Sequence, residues 1–307
     1  MFSGSSSSRN WQTMDYDILV KIFTVLNLTD MVFGVSRVCK SWRFACRDPL
    51  LWATLNLNRL KANSADILPS ETCALLDNQS SWWRVMCILK NAFNLGCNNV
   101  TRLIFHYSMY INDEHLVYAA IRFPRVKHLV LPPCNQITVD GFHAAIQRWQ
   151  ELVSLIVPYI CSPSKIMQMI SANCKNFSIL KVMLPFDLEF ATTLFIYLPG
   201  LKVLSLRSAM VEKNALTIIL KLMDGLEKLN LSHCRLIEVP RTPGPVTLFR
   251  EMDNSIIAKA SHLKEFCYCQ ELSCSICLFE HTDENFLRWY AYDEGLWRED
   301  EITSLAF

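Results

Sequence analysis

Two stretches of nine residues decide the fold: VKHLVLPPC at 126–134 and LEKLNLSHC at 226–234. Both have apolar residues at the first, fourth and sixth positions and a cysteine at the ninth. Four further segments carry the same apolar-x-x-Leu-x-apolar core, and a related one, Leu263/Phe266/Tyr268, follows later in the chain. The six central leucines are spaced by 24 to 26 residues and are Leu103, Leu129, Leu155, Leu180, Leu204 and Leu229. Self-similarity at this period is typical of a solenoid of stacked repeats.

Helical stretches separate the repeated segments, at 112–121, 139–149, 164–172, 188–197 and 213–223. Stacked strand–helix units predict an α/β fold, a horseshoe with a parallel sheet on its concave side. Because a cysteine follows the strand, the pattern resembles the cysteine-containing subclass of leucine-rich repeats. The alternative is a doubly wound α/β enzyme, whose phosphate-binding turns need glycines after the strands. The chain has eight glycines and no GxGxxG or GxxxxGK[ST] sequence, which disfavours that alternative.

The front of the chain, at 11–52, reads WQTMDYDILVKIFTVLNLTDMVFGVSRVCKSWRFACRDPLLW. An apolar residue every four positions predicts a helix with a wide apolar stripe. The positions are Met14, Ile18, Ile22 and Leu26, with Leu19 and Phe23 beside them. A second helix is predicted from Val32, Val35, Cys39 and Trp42, with Thr29 and Asp30 as its N-terminal cap. Two helices of this size cannot bury their own apolar surface and need another surface to pack on.

This front stretch resembles the F-box. The matching pieces are Ile18-Leu19, Ile22-Phe23, Val38-Cys39-Lys40-Ser41-Trp42-Arg43, Asp48-Pro49 and Leu51-Trp52. It departs from the family where Met14-Asp15 replaces leucine-proline, although Met14 can still fill an apolar pocket and Asp15 can cap a helix. The resemblance implies docking on a Skp-type adaptor, through Met14, Ile18, Leu19, Ile22, Phe23, Leu26, Val38 and Trp42. The alternative is an ordinary N-terminal helical hairpin that packs on the rest of the protein.

Five regions make up the predicted organisation. Residues 1–10 are polar and expected to be disordered, and 11–55 form the F-box. Residues 56–99 are expected to be an irregular linker and a capping helix at 81–93, and 100–275 are the leucine-rich repeats. The prolines Pro240, Pro243 and Pro245 predict a surface loop within 235–250. Residues 276–307 are a C-terminal cap and tail, in which 282–301 is acidic and aromatic.

Alternation along each strand predicts which side chains line the concave face, because the leucines face the core. The candidate target-binding residues on that face are Arg102, His106, His128, Lys181, Arg207 and Lys228. The face combines apolar groups with cations and contains no acidic residue in the first six repeats. It could therefore suit an acidic or phosphorylated protein segment, since arginine offers paired donors to such groups.

Composition excludes several function classes. The formal net charge of +1 gives no argument for a nucleic-acid or membrane-surface partner. No uninterrupted apolar run reaches the length of about 18 residues that a membrane span needs. With no apolar segment for export at the start, the 13 cysteines are expected to be reduced thiols in the cytoplasm or nucleus.

No catalytic centre, cofactor or metal site is predicted. The seven histidines form no HExxH pair and flank no GxSxG sequence. Cys274-x-x-Cys277 has metal-ligand spacing, but Cys267 and Cys269 lie within an expected strand. Core and turn cysteines of a repeat are therefore favoured over zinc ligands.

The resemblance implies a non-catalytic subunit of an SCF-type (Skp–cullin–F-box) ubiquitin ligase that holds an unidentified protein target. Its contribution to rate would come from effective concentration rather than side-chain chemistry. A non-ligase interaction scaffold with a drifted F-box is the alternative, which Met14-Asp15 faintly favours.

Overall fold

A computed structural model describes residues 11, 14–57, 78–96, 99–105, 109–132, 135–240, 245–249 and 252–269. The described helices are α1 Tyr16–Phe23, α2 Lys40–Ala45, α3 Asn78–Asn94, α4 Asp113–Arg122, α5 Val139–Ile146, α6 Pro163–Asn173, α7 Leu188–Tyr197, α8 Lys213–Leu222 and α9 Asn254–Lys259. The described strands are β1 Thr54–Asn56, β2 Arg102–Ile104, β3 Ile111–Asn112, β4 His128–Val130, β5 Asn135–Gln136, β6 Ser154–Val157, β7 Ile179–Val182, β8 Val203–Ser205, β9 Met210–Glu212, β10 Lys228–Leu231, β11 Arg235–Glu238, β12 Thr247–Phe249 and β13 Glu265–Tyr268.

Eight strands form one parallel sheet in the order β1-β2-β4-β6-β7-β8-β10-β13. Between most neighbouring strands the chain crosses over through a helix, so the strands stack as repeats. The repeat leucines lie in register across the sheet: Leu55, Leu103, Leu129, Leu155, Leu180, Leu204 and Leu229. Each is at most 1% exposed, and all seven belong to the core that the helices cover. The predicted α/β solenoid with a parallel sheet is confirmed.

Strand β1 was not predicted, although its sequence carries the repeat signal. Trp52, Leu55 and Leu57 have the apolar-x-x-Leu-x-apolar spacing, and all three are buried. β1 pairs with β2, and the carbonyl oxygen of Ala53 accepts hydrogen bonds from the backbone of Thr101 and Arg102. The sheet therefore begins inside the region predicted as F-box, which makes the two parts one continuous core.

The predicted second front helix is wrong in its extent. Residues 30–34 form a π-helical turn and 35–37 a 3-10 turn, and the backbone is extended at Cys39 before α2 begins. The predicted cap is also wrong, since Thr29 makes no side-chain capping bond. The side-chain amide oxygen Oδ1 of Asn27 accepts from the backbone N–H of Asp30 at 2.8 Å instead. The turn starts earlier than the apolar spacing indicates, so an upstream side chain satisfies its N–H groups.

Side chains also tie one repeat to the next. The indole N–H of Trp149 donates to the carbonyl oxygen of Phe123 at 2.9 Å, and the Cys174 thiol approaches the carbonyl oxygen of Trp149 at 3.4 Å. The Cys234 thiol donates to the carbonyl oxygen of Leu206 at 2.8 Å, as expected for a turn cysteine. Cys134 lies outside the described residues. These side chains donate to backbone carbonyls at the turns, and those of Trp149 and Leu206 also accept from a backbone N–H.

The expected loop at 235–250 is only partly correct. Its ends form β11 and β12, which pair antiparallel, and β11 also pairs parallel with β9. Proline cannot donate in a sheet ladder, so the strands stop on either side of the proline-rich segment. Val246 and Leu248 remain largely exposed.

Trp52 holds the front helices to the solenoid. Its ring is 1% exposed, and its N–H donates to the carbonyl oxygen of Cys46 at 2.6 Å. We expect Trp52→Ala to lower the free energy of unfolding by about 3–5 kcal/mol, measured by urea denaturation. Leu50→Ala is the control: its side chain is 79% exposed, and an unfolding midpoint as low as that of the tryptophan variant would contradict this role.

Gly141 lies where α5 packs against Asp113, the first residue of α4. A Cβ added there would overlap the Asp113 carboxylate, which accepts from the backbone N–H and the hydroxyl of Thr138, each at 2.7 Å. Gly141→Ala should destabilise the chain by about 1–3 kcal/mol, because the carboxylate must leave both donors. Thermal unfolding measures this, and Gly200→Ala, where the added Cβ meets no atom, should keep the wild-type midpoint.

Candidate functional site

Helix α1 presents an apolar stripe that no described residue covers. Ile18 and Ile22 lie one turn apart on α1, Val25 follows in the turn after the helix, and the three are 50%, 39% and 81% exposed. The carboxylate of Asp15 caps the helix by accepting from the backbone N–H of Asp17, as the sequence predicted. Branched apolar side chains at this spacing make a continuous ridge that can fit into a groove of another protein.

The opposite face of α1 points inward. Leu19 and Phe23 are each 1% exposed and belong to the core. Both were predicted as adaptor contacts; the structure instead buries them within the chain. They therefore fix the angle at which the exposed stripe is held.

Val38 and Trp42 were predicted to lie on the same surface. Val38 lies in the turn before α2 and is 57% exposed. The Trp42 ring is half-buried edge-on against Phe23, with the ring centroids 5.6 Å apart, and its N–H donates to the carbonyl oxygen of Trp11. Met14 and Leu26 are half-buried against the core. Six of the eight predicted adaptor residues thus keep some surface.

Two exposed apolar side chains next to the start of α1 were missed. Phe44 is 65% exposed and packs on Tyr16, with ring centroids 5.5 Å apart, while Leu50 is 79% exposed. The hydroxyl of Tyr16 donates to the carboxylate of Asp48, which also accepts from the backbone N–H of Leu50. Phe44 follows Trp42 by two residues on α2, so the two side chains lie on different faces of the helix. The apolar spacing that includes Trp42 therefore did not predict the exposure of Phe44.

The strand register arranges the concave face in rows. One row runs from Arg102 through His128, Ser154, Ile179, Val203 and Lys228 to Glu265. The next row runs from Ile104 through Val130, Ile156, Lys181, Ser205 and Asn230 to Cys267. The seventh repeat therefore adds a carboxylate, Glu265, to a face on which the first six placed none. Cys267 also lies on this face. The sequence had instead favoured a position in the core or in a turn.

The predicted target-binding residues differ in their surroundings. Arg102 is half-buried, and His128 shares a hydrogen bond of 2.9 Å with the hydroxyl of Ser154. Lys228 is exposed and forms an ion pair of 2.6 Å with Glu265. Lys181 and Arg207, in contrast, are only 2% and 5% exposed. His106 lies outside the described residues.

Of the thiols in the last repeat, Cys267 lacks the features of a reactive site. The Cys269 sulfur lies 3.3 Å from Nδ1 of His233, while burial and the neighbouring Glu265 raise the pKa of Cys267. A raised pKa leaves less thiolate for nucleophilic attack or metal binding. Within the described part of the chain, no cluster of three or more metal-ligating side chains occurs, and each cysteine is a free thiol. No described helix has the length and apolarity required to cross a bilayer.

A helical N-terminal module with an exposed apolar ridge, continuous with a leucine-rich-repeat solenoid, is the architecture of an F-box/leucine-rich-repeat protein. The F-box-like family profile matches residues 16–58. An F-box/LRR-repeat protein of Arabidopsis thaliana is 38% identical over 97% of this chain and 96% of its own length. The chain belongs to this family.

Two further relatives from Arabidopsis thaliana are similar over most of the chain. A putative F-box protein is 26% identical over 99% of this chain and 98% of its own length. A putative F-box/LRR-repeat protein is 23% identical over 75% of this chain and 90% of its own length. A family of this kind implies a receptor that joins a target protein to an SCF complex.

His128 gives the concave face a dependence on pH. Burial, followed by the charges of Arg102 and Lys127, lowers the pKa of His128 below its ordinary value of 6.5. The unfolded chain therefore binds more protons than the folded chain as the pH falls below 6.5, and folding stability declines in that window. We expect His128→Gln to lose less thermal stability than the wild type between pH values of about 7.5 and 5.5.

The control is His262→Gln, which removes an exposed ring on the 3-10 turn after α9. Between the same two pH values, the melting temperature of this variant should decrease by as much as that of the wild type. An identical decrease in the His128 variant and the wild type would contradict the assignment.

Proposed function

We propose that this protein is the substrate-recognition subunit of an SCF-type ubiquitin ligase. The observation that carries the proposal is the uncovered ridge of Ile18, Ile22 and Val25, together with the exposure of Val38 before α2. Burying one branched aliphatic side chain contributes about 1.5–3 kcal/mol, so a partner that covers these side chains gains substantial free energy. Contiguous exposed apolar surface on a folded protein marks an interaction site.

The proposed partner of this ridge is a Skp-type adaptor, and through it a cullin-RING ligase. Ile18, Ile22 and Val38 are the central contacts, and Met14, Leu26 and Trp42 contribute their accessible edges. Leu19 and Phe23 act from within, because their burial fixes the orientation of α1. The Met14-Asp15 start still supplies a helix cap and an apolar side chain at the edge of the ridge.

The solenoid is proposed to hold a protein target. A subunit of this kind is not itself an enzyme and needs no cofactor, since bringing the target close to the ligase raises its effective concentration. We propose that the protein acts in the cytoplasm or nucleus, where a reducing environment would keep its cysteines as thiols.

Charge reversal on the ridge tests the adaptor interface. Ile18→Glu/Ile22→Glu puts two carboxylates into an apolar contact, and we expect the affinity for a purified Skp-type adaptor to fall by at least about 30-fold, the effect of losing one interface hot spot. Calorimetry or surface plasmon resonance measures the affinity, and circular dichroism checks the fold.

Lys221→Glu is the control, because it reverses a charge on helix α8 of the repeat array and not on α1. Its side chain is exposed and lies outside the front helices, so the affinity of this variant should stay close to that of the wild type. If the wild-type chain does not bind the adaptor, or the double variant binds equally well, the protein is instead a scaffold outside the ligase.

A further inference from the structure

The turns that follow β8 and β10 share one backbone geometry but differ in the atom that their N–H group meets. Ser208 and His233 occupy equivalent positions in neighbouring repeats, and both adopt a left-handed φ, of 59° and 60°. The backbone N–H of Ser208 donates to the carbonyl oxygen of Ser232 in the next repeat at 2.9 Å. The backbone N–H of His233 instead donates to the sulfur of Cys269 over 3.4 Å. A thiol sulfur therefore takes the place of a backbone carbonyl oxygen in the last turn.

The imidazole ring of His233 contacts the same sulfur. Its Nδ1 lies 3.3 Å from the Cys269 sulfur, so the ring and the backbone of one residue both approach that atom. A thiol at this distance from an imidazole nitrogen can pass its proton to the ring, which leaves a thiolate beside an imidazolium. The thiolate then accepts hydrogen bonds from both groups. A nucleophile and a base in hydrogen-bond contact form the arrangement that activates a cysteine.

Thiols in the other repeats make the opposite kind of contact. Those of Cys161, Cys174 and Cys234 each donate to a backbone carbonyl oxygen, at 3.3, 3.4 and 2.8 Å. A thiol must keep its proton to make such a bond, so these contacts favour the unreactive form. At Cys174, burial acts in the same direction and raises the pKa to about 11.

The surroundings of Cys269 also differ from those of the thiol nearest to it in the sequence. Cys267 lies two residues earlier and contacts the carboxylate of Glu265, which disfavours a thiolate there. Cys269 and His233 are both half-buried, so part of each side chain stays accessible to small molecules. Cys269 directly follows β13, which is the last strand of the large sheet among those the structure describes.

We propose that Cys269 is a peroxide-reactive thiol and that His233 is the base that activates it. The thiolate attacks one oxygen of hydrogen peroxide: its electron pair forms an S–O bond while the O–O bond breaks. The His233 imidazolium gives its proton to the departing hydroxide, which leaves as water. The sulfur is thereby oxidised to a sulfenic acid and the peroxide is reduced. A low-molecular-weight thiol can then condense with the sulfenic acid, with loss of water, and a second one reduces the mixed disulfide.

The pair is thus a reversible modification site at the C-terminal end of the described repeats. It lies on the repeat array and not on the front helices, and it does not depend on adaptor binding.

Site-resolved trapping of the sulfenic acid tests the proposal on the wild-type chain. The full-length protein is treated with hydrogen peroxide in the presence of dimedone, and peptide mass spectrometry follows the adduct at each cysteine. We expect the Cys269 adduct to form at least about tenfold faster than those of Cys161 and Cys267, since an ordinary thiol is only a few per cent thiolate at neutral pH. An adduct at Cys269 that forms no faster than at either reference would overturn the proposal.

His233→Asn tests the role of the imidazole. Asparagine tolerates a left-handed φ, so the turn and its backbone N–H are kept while the base is lost. We expect the rate at Cys269 to fall by at least about tenfold, toward that of an ordinary thiol. Ser208→Asn is the matched control, because it makes the same change of residue at the equivalent turn with the same φ. This control should keep the wild-type rate at Cys269.

A purely structural contact would give a change of the opposite sign. If the ring only shields the sulfur, His233→Asn uncovers it, and a rate that rises or stays constant contradicts the proposal. Circular dichroism checks the fold of the variant, since unfolding would raise the rates at Cys161 and Cys267 as well. In that case the rates in the wild-type chain decide. No adaptor enters these measurements, so their outcome and the outcome for the ligase proposal stay separate.

Discussion

The rest of the structure depends on the register of the repeat leucines. Seven strands place a leucine at the same height, from Leu55 to Leu229, and each is at most 1% exposed. Because side chains alternate between the two faces of a strand, a shift by one residue would move an entire leucine row into the concave face. This constraint fixes the helices on one side and decides which polar residues appear on the other.

The same register makes the concave face asymmetric. The row that begins at Ile104 is apolar at Ile104, Val130 and Ile156 and becomes polar at Lys181 and Ser205, toward the C-terminal repeats. Burial also varies along the face, since Ile104, Val130 and Ile156 are buried whereas Lys228 and Glu265 are exposed.

At the front of the chain, one helix serves two interfaces. The inner residues of α1, Leu19 and Phe23, pack against Trp42 and the core, while Ile18 and Ile22 stay outside. Trp52 and the pairing of β1 with β2 connect this arrangement to the solenoid. A partner held on the ridge is thus held at a defined angle to the concave face, as a receptor that presents a target requires.

The sequence by itself determined the repeat period, the strand–helix order and the presence of apolar stripes at the front. These features follow from local spacing: the repeat helices differ from prediction by no more than three residues at either end, and α7 not at all. Strand β1 was not predicted because its repeat stands alone before a long linker. The extended backbone at Cys39 and the capping of the turn by Asn27 were not predicted, because several local conformations suit the same residues.

Only the tertiary structure decided which side of each stripe faces a partner. Leu19 and Ile18 have the same apolar character and adjacent positions, yet packing against the core buries one and exposes the other. Lys181 and Lys228 occupy neighbouring rows of the same face, yet one is buried and the other is exposed. Spacing specifies the period of burial, but what covers a face depends on segments that are distant in sequence, and those meet only in the folded chain.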